Sequence, residues 1–176
     1  MTGSFAPTVL IDGPSGAGKT TAAAALGRHT GWRVVHLDDY YPGWDGLAAG
    51  SRITAESVLA SGADISAAGY YRWNWEENCR GEWVEVDPYA PLIVEGVGAL
   101  TTETLRAARR RGGVVSWVLA APRHIRRARA LERDPYYAPY WERWAAQEAV
   151  HFGRWVKEGI VPDFVTDTAR KIRHHD

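Results

Sequence analysis

Apolar residues gather in five short runs along the chain: Thr8–Asp12, Arg33–Leu37, Pro91–Glu95, Val114–Leu119 and Asp163–Thr166. Each is rich in Val, Ile or Leu without clean polar alternation, the pattern of strands buried on both faces of a parallel sheet. Between them the periodicity turns helical. One helix is predicted over about residues 18–30, stopping at Gly31. A short one is predicted near Thr54 to Leu59. A third runs from Thr102 to Arg111, with an Arg-rich last turn before Gly112 and Gly113, and a fourth covers Arg123 to Arg133. In the fifth, Trp141, Trp144, Ala145, Ala149, Phe152, Trp155 and Val156 recur at three- and four-residue steps as an apolar, core-packing stripe. Trp83 to Val86 reads as an edge strand. Strands alternating with helices predict a three-layer α/β fold, a five-stranded parallel sheet flanked by helices, with right-handed crossovers. No linker or repeat interrupts residues 1–176, so one domain is expected. Ligands of such folds collect beyond the carboxyl ends of the strands.

Beyond the first of those ends stands Gly13-Pro14-Ser15-Gly16-Ala17-Gly18-Lys19-Thr20, a complete G-x-x-x-x-G-K-[ST] sequence between a predicted strand and a predicted helix. Glycines let successive backbone N–H groups curl around phosphate oxygens, and the helix N-terminus adds partial positive charge. Gly13 and Ser15 through Thr21 are the expected phosphate cradle. Lys19 is expected to reach the β- and γ-phosphates, and the Thr20 hydroxyl to ligate Mg²⁺. The motif points to a bound nucleoside triphosphate.

Composition narrows the rest. Formal charge is zero, with 21 basic and 21 acidic side chains, which argues against a general nucleic-acid binder. There is no apolar run of membrane-spanning length. The N-terminus has no secretory pattern, and the single cysteine, Cys79, can make neither an internal disulfide nor a zinc cluster. A cytoplasmic setting is the expectation. Arginines crowd one segment, at Arg123, Arg126, Arg127, Arg129 and Arg133. Their planar forks suit bidentate phosphate contacts. With Pro135 to Pro139 they make a candidate lid over about residues 123–140, in which Arg126, Arg129 and Arg133 share a face.

Three acids also fall on the strand ends: Asp38 and Asp39 after the second run and Glu95 at the end of the third. Carboxylates beside a polyphosphate are unfavourable unless they hold a cation or accept a proton. Glu95 suits Mg²⁺, and either Asp38 or Asp39 suits the group that deprotonates an acceptor hydroxyl. Between residues 40 and 88, Tyr70 to Trp75, Arg80 and Trp83 offer aromatic walls and polar anchors for an acceptor, or the packing of a small hairpin.

Taken together, these segments resemble the uridine kinase/phosphoribulokinase branch of P-loop small-molecule kinases, over roughly residues 8–168. Gly13 to Thr21 matches that family's phosphate loop. His36-Leu37-Asp38-Asp39-Tyr40-Tyr41 is similar to its turn after strand two, and Leu92 to Gly96 to its Val-Glu-Gly strand. Trp73-Asn74-Trp75 with Arg80 is similar to its Tyr-Asp-Phe substrate segment and following arginine, with Asn74 where the family carries Asp. Arg126 to Asp134 resembles its lid helix. The resemblance implies a nucleoside monophosphate kinase-like fold and transfer of the ATP γ-phosphate to a hydroxyl of a small metabolite. Asp38 would be the base, Thr20 and Glu95 the Mg²⁺ residues, and Tyr41, Trp73, Asn74 and Arg80 the substrate contacts. By fold analogy the donor's base would rest near Thr168 to Arg170. The rival expectation is a P-loop NTPase or nucleotide switch that has no small-molecule acceptor.

Overall fold

A computed structural model describes residues 6–61 and 67–169. In chain order its elements are β1 (Thr8–Asp12), α1 (Lys19–Thr30), β2 (Arg33–His36), α2 (Leu47–Ile53), β3 (Ala68–Asn74), β4 (Cys79–Val86), β5 (Leu92–Glu95), α3 (Thr102–Arg111), β6 (Val114–Ala120), α4 (Arg123–Arg133), α5 (Trp141–Glu158) and β7 (Phe164–Asp167). A parallel sheet runs in the order β2-β5-β1-β6-β7. The pair β3 and β4 forms a separate antiparallel hairpin. The α/β architecture is as expected.

Strand alternation divides the interior in two. Ile11, Ile93 and Leu119 face α1, packing with Ala17 and Ala23. Leu10, Leu92, Val94 and Val118 face the other way, into a larger core shared with Leu47, Val58, Ala107, Ala108, Trp141 and Trp144. Both faces of β1 and β5 are covered, which explains why their sequences show no polar alternation. Helix α3 begins on a reciprocal cap. The Thr104 amide donates to Thr101 Oγ1 at 3.1 Å, and the Thr101 amide donates to Thr104 Oγ1 at 2.8 Å.

Two expectations about helices need correction. Helix α2 starts at Leu47, well before Thr54, and continues into a wider turn over Thr54–Val58, where the Leu59 amide reaches back to the Thr54 carbonyl at 2.9 Å. Gly50 disguised it. A mid-helix glycine signals a break by propensity, but here it admits the Tyr41 ring, and a Cβ at residue 50 would stand 2.5 Å from Tyr41 Cδ1. In α5 the buried face is Trp141, Trp144, Glu148 and His151, whereas Val156 is 86% exposed. The stripe is therefore turned from the apolar one expected, because two ionisable side chains find partners inside.

The hairpin extends over more residues than Trp83 to Val86. Asn74 closes its turn: Oδ1 accepts from the Glu76 and Glu77 amides, each at 3.1 Å, and Nδ2 donates to Glu77. Several contacts fasten it to the main body. The Ser57 hydroxyl donates to the Gly69 carbonyl (2.6 Å), the Tyr70 ring packs on Tyr40 (4.6 Å between centroids), and Trp75 Nε1 donates to the Asp38 carbonyl (3.1 Å).

Paired glycine replacements test this packing. Gly50→Ala is expected to lower the unfolding free energy by about 1 kcal/mol, as overpacking against Tyr41 outweighs the gain in helix propensity. Gly153→Ala, on an exposed stretch of α5 with no atom near the added methyl, is expected to raise it by up to about 1 kcal/mol. Urea midpoints of the two variants check both signs.

Candidate active site

The carboxyl ends of β1, β2 and β5 lie together. Ile11 and His36 both pair with Glu95, which brings the loop after β1, the turn after β2 and the acid ending β5 to one edge of the sheet. The loop turns sharply. Gly16 has φ +78°, and a Cβ there would lie 2.1 Å from the Arg126 carbonyl oxygen, so α4 is packed directly on the curl and only glycine fits. Helix α1 then starts with no side-chain cap on its first turn and no acid within it. The first-turn N–H groups of a helix lack intrahelical acceptors, so this terminus is suited to an anion.

Two buried carboxylates hold the loop from behind. Asp12, fully buried, accepts from the Gly13 amide (2.6 Å), the Leu100 amide (2.8 Å) and the Gly98 amide (3.1 Å), and lies 2.9 Å from His151 Nε2. Glu148 accepts from the Ser15 amide at 2.7 Å, with its other oxygen 3.8 Å from Arg126. Neither residue was singled out in the sequence. Signals did exist: Asp12 immediately precedes the glycine motif, and Glu148 and His151 stand four and seven residues from Trp144 on a helix face that ought to be apolar.

A cavity of about 810 Å³ opens in front of the loop. Ser15, Gly16, Gly18, Lys19, Thr20 and Thr21 line one side, whereas Gly13 and Ala17 stand behind as support. Asp38, Tyr41, Glu95, Arg129 and Arg133 also line it. Lys19 is largely buried and its Nζ donates to the Pro14 carbonyl at 3.1 Å. The Thr20 hydroxyl donates to Glu95 Oε1 at 3.1 Å, and the same oxygen lies 2.5 Å from His36 Nδ1. That contact with Glu95 raises the His36 pKa against the opposing effect of burial. Asp38 opens onto the cavity, yet the surrounding walls strip enough water from its carboxyl to push the pKa above the ordinary value. Glu95 adds to the rise, and Lys19, Arg133 and His36 oppose it. Asp39 instead accepts from the Tyr70 hydroxyl at 3.3 Å.

Several expected contacts are placed elsewhere. Arg126 does not line the cavity: its guanidinium donates to the Ser15 carbonyl (3.0 Å) and the Ala121 carbonyl (2.9 Å), bracing the loop from outside. Arg129 reaches the rim while donating to the Thr168 carbonyl (2.7 Å) and hydroxyl (3.1 Å). Trp73, Asn74 and Arg80 lie away from the cavity, with Asn74 spent on the hairpin turn and Arg80 4.6 Å above the Tyr71 ring. Their neighbours Trp75 and Glu76 line it instead, joined by Trp44, Tyr137, Tyr140 and Trp144. Arg170 falls outside the described residues. So do residues 62–66 of the segment between α2 and β3.

A divalent ion fits this edge in the manner of Mg²⁺. Among the described residues no three His, Cys, Asp or Glu side chains cluster as a protein-only metal cage. The Thr20 hydroxyl and the Glu95 carboxylate are oxygen donors of the kind that would hold such an ion.

Known proteins share this fold. No protein-family model matches the chain. A cytidylate kinase of Colwellia psychrerythraea is 34% identical over 133 residues, which is 73% of this chain; the chain spans about half (53%) of that relative's length. Among solved structures, one from Bacillus stearothermophilus described as a possible uridine kinase superposes with a TM-score of 0.55 at 19% identity, covering 95% of this chain and 91% of that one. A gluconokinase of Sinorhizobium meliloti 1021 superposes with a TM-score of 0.52 at 14% identity, covering 96% and 85%. Among the described residues no helix is long and apolar enough to cross a membrane.

The support from behind the loop can be tested by removing Glu148. Glu148→Ala leaves the buried Ser15 amide without its partner and is expected to cost about 1–3 kcal/mol of stability. Glu148→Gln, which keeps an acceptor oxygen, should cost less than half as much in thermal or urea unfolding.

Proposed function

The chain has the fold of the P-loop kinases, and on that footing we propose that it is an ATP-dependent phosphotransferase whose acceptor is a hydroxyl on a small metabolite. The observation that carries this reading is the placement of Asp38. Its carboxylate shares one cavity with the phosphate loop, Lys19 and Arg133, and its pKa is raised by lost hydration and by Glu95 against the opposing pull of those cations. An NTPase without an acceptor has no use for such a base beside an aromatic-walled extension of the same cavity.

The residues divide the work. The loop amides and Lys19 would hold the triphosphate, and Thr20 and Glu95 would hold Mg²⁺. A bound Mg²⁺ neutralises the phosphate oxygens and fixes their orientation. The acceptor oxygen attacks the γ-phosphorus, the bond from that phosphorus to the β–γ bridging oxygen breaks, ADP departs, and the hydroxyl proton passes to Asp38. Arg129 and Arg133, on the cavity side of α4, would meet the charge that spreads over the moving group's oxygens. The segment over residues 123–140 would serve as the cover that excludes water.

A hydroxyl acceptor is favoured over a phosphate acceptor by the charge beyond Asp38. The aromatic lining is joined by the acids Glu76 and Asp134, whereas Arg72 and Arg80 are on the hairpin outside the lining and Arg143 is paired with Asp45. A phosphorylated acceptor would require cations at that end.

Asp38→Asn is expected to reduce phosphoryl transfer by at least a thousandfold while changing the affinity for ATP less than threefold, measured by radiolabel transfer and by calorimetric titration. A parallel loss of nucleotide binding would assign the carboxylate to structure instead. Because the base must be ionised to accept the proton, kcat/KM should fall on the acid side of neutrality. That limb should sit at higher pH than an ordinary aspartate would give, and it should vanish from the residual activity of Asp38→Asn.

A further inference from the structure

Resting on the kinase reading, we infer that the acceptor is an organic cation, an alcohol carrying a quaternary or aromatic ammonium group, held by the ring wall and by Glu76. The wall beyond Asp38 consists of Tyr41, Trp44, Trp75, Tyr137, Tyr140 and Trp144. These rings are organised as a set. Trp44 stacks on Tyr140 with centroids 4.1 Å apart and planes 2° from parallel, lies 5.0 Å from Trp75, and meets the edge of Trp144 at 6.3 Å. Their position is fixed from outside: Gln147 donates to the Trp44 carbonyl (2.7 Å), and Arg143 pairs with Asp45.

Three polar tips of this wall are already used. Trp75 Nε1 donates to the Asp38 carbonyl (3.1 Å), the Tyr41 hydroxyl to the Val97 carbonyl (2.6 Å), and the Tyr137 hydroxyl to Ser15 Oγ (3.1 Å). A nucleobase or a sugar is read through hydrogen bonds to its edges or hydroxyls, and a buried polar edge left unpaired is penalised. Beyond those, the wall carries the indole N–H groups of Trp44 and Trp144 and the Tyr140 hydroxyl, few polar groups for so much ring surface. Aromatic surface together with the carboxylate of Glu76 is the pairing that attracts a positively charged, weakly hydrated group. Beyond Asp38 and Glu95 the cavity's acids are Glu76, which follows Trp75 in the chain, and Asp134, which stands just before Tyr136 and Tyr137; its cations are Lys19, Arg129 and Arg133.

Charge can be separated from shape with isosteric pairs. Choline and N-(2-hydroxyethyl)pyridinium are titrated calorimetrically into the full chain saturated with a non-hydrolysable ATP analogue and Mg²⁺. Their neutral counterparts, 3,3-dimethylbutan-1-ol and 2-phenylethanol, are titrated alongside, with uridine as a third class. Each cation should bind at least tenfold more tightly than its neutral counterpart and more tightly than uridine. Glu76→Gln should shrink that ratio at least threefold while the affinity for the nucleotide stays unchanged. Equal binding of cation and isostere, or tighter binding of uridine, overturns the inference. Phosphate transfer from ATP to the same compounds keeps the two claims apart. Transfer to a neutral alcohol in preference to the cations overturns the inference and leaves the kinase standing. Selective cation binding with no transfer to any alcohol upholds the inference about the pocket and overturns the kinase.

Discussion

The curl of backbone between β1 and α1 is the constraint on which the rest of the molecule is built. A chain bent this sharply turns several amides away from any neighbouring strand, and some of them point into protein. Asp12 takes the amides of Gly13, Gly98 and Leu100, and Glu148 takes the amide of Ser15. Buried carboxylates are costly unless their oxygens are paired, and these two are paired by backbone amides, with His151 beside Asp12 and Arg126 beside Glu148. Each group satisfies the other. The first turn of α1, which no side chain caps, is left to face the cavity.

Helix α5 supplies the second half of that arrangement. Glu148 and His151 reach the back of the loop, and Trp144 lines the cavity. Gln147 and Arg143 hold the stretch that carries Trp44 and Asp45. One helix thus ties the phosphate end of the cavity to the aromatic end.

Within the cavity, charge and hydration change over a short distance. At one end Lys19, Arg129 and Arg133 accompany the loop, Thr20 and Glu95. At the other end tyrosine and tryptophan rings exclude water. Asp38 lies between the two, and its raised pKa registers both the poor hydration of its surroundings and the neighbouring Glu95.

Much of this was legible in the one-dimensional pattern. Uniform apolar runs read as strands, so β1, β2, β5, β6 and β7 followed from local rules, as did the loop motif between β1 and α1. Burial on both faces holds for β1 and β5 but not for β7, which at the sheet's edge is exposed along its length. Propensity failed at Gly50, where a ring stacked from outside makes a glycine the fitting helical residue, and pattern failed at Glu148 and His151, whose partners are more than a hundred residues away. Arg126, Trp73, Asn74 and Arg80 had the right chemistry for the cavity but point elsewhere, while Trp75, Glu76 and Trp44 took the places expected of their neighbours. Residue type and spacing by themselves determined the sheet, the phosphate loop and the acids at the strand ends, because those depend on backbone geometry within a few residues. Which arginine faces the cavity, which rings wall it, and which carboxylates hold the loop from behind were decided by packing between distant segments, where a rotation of one helical position exchanges the inside for the outside.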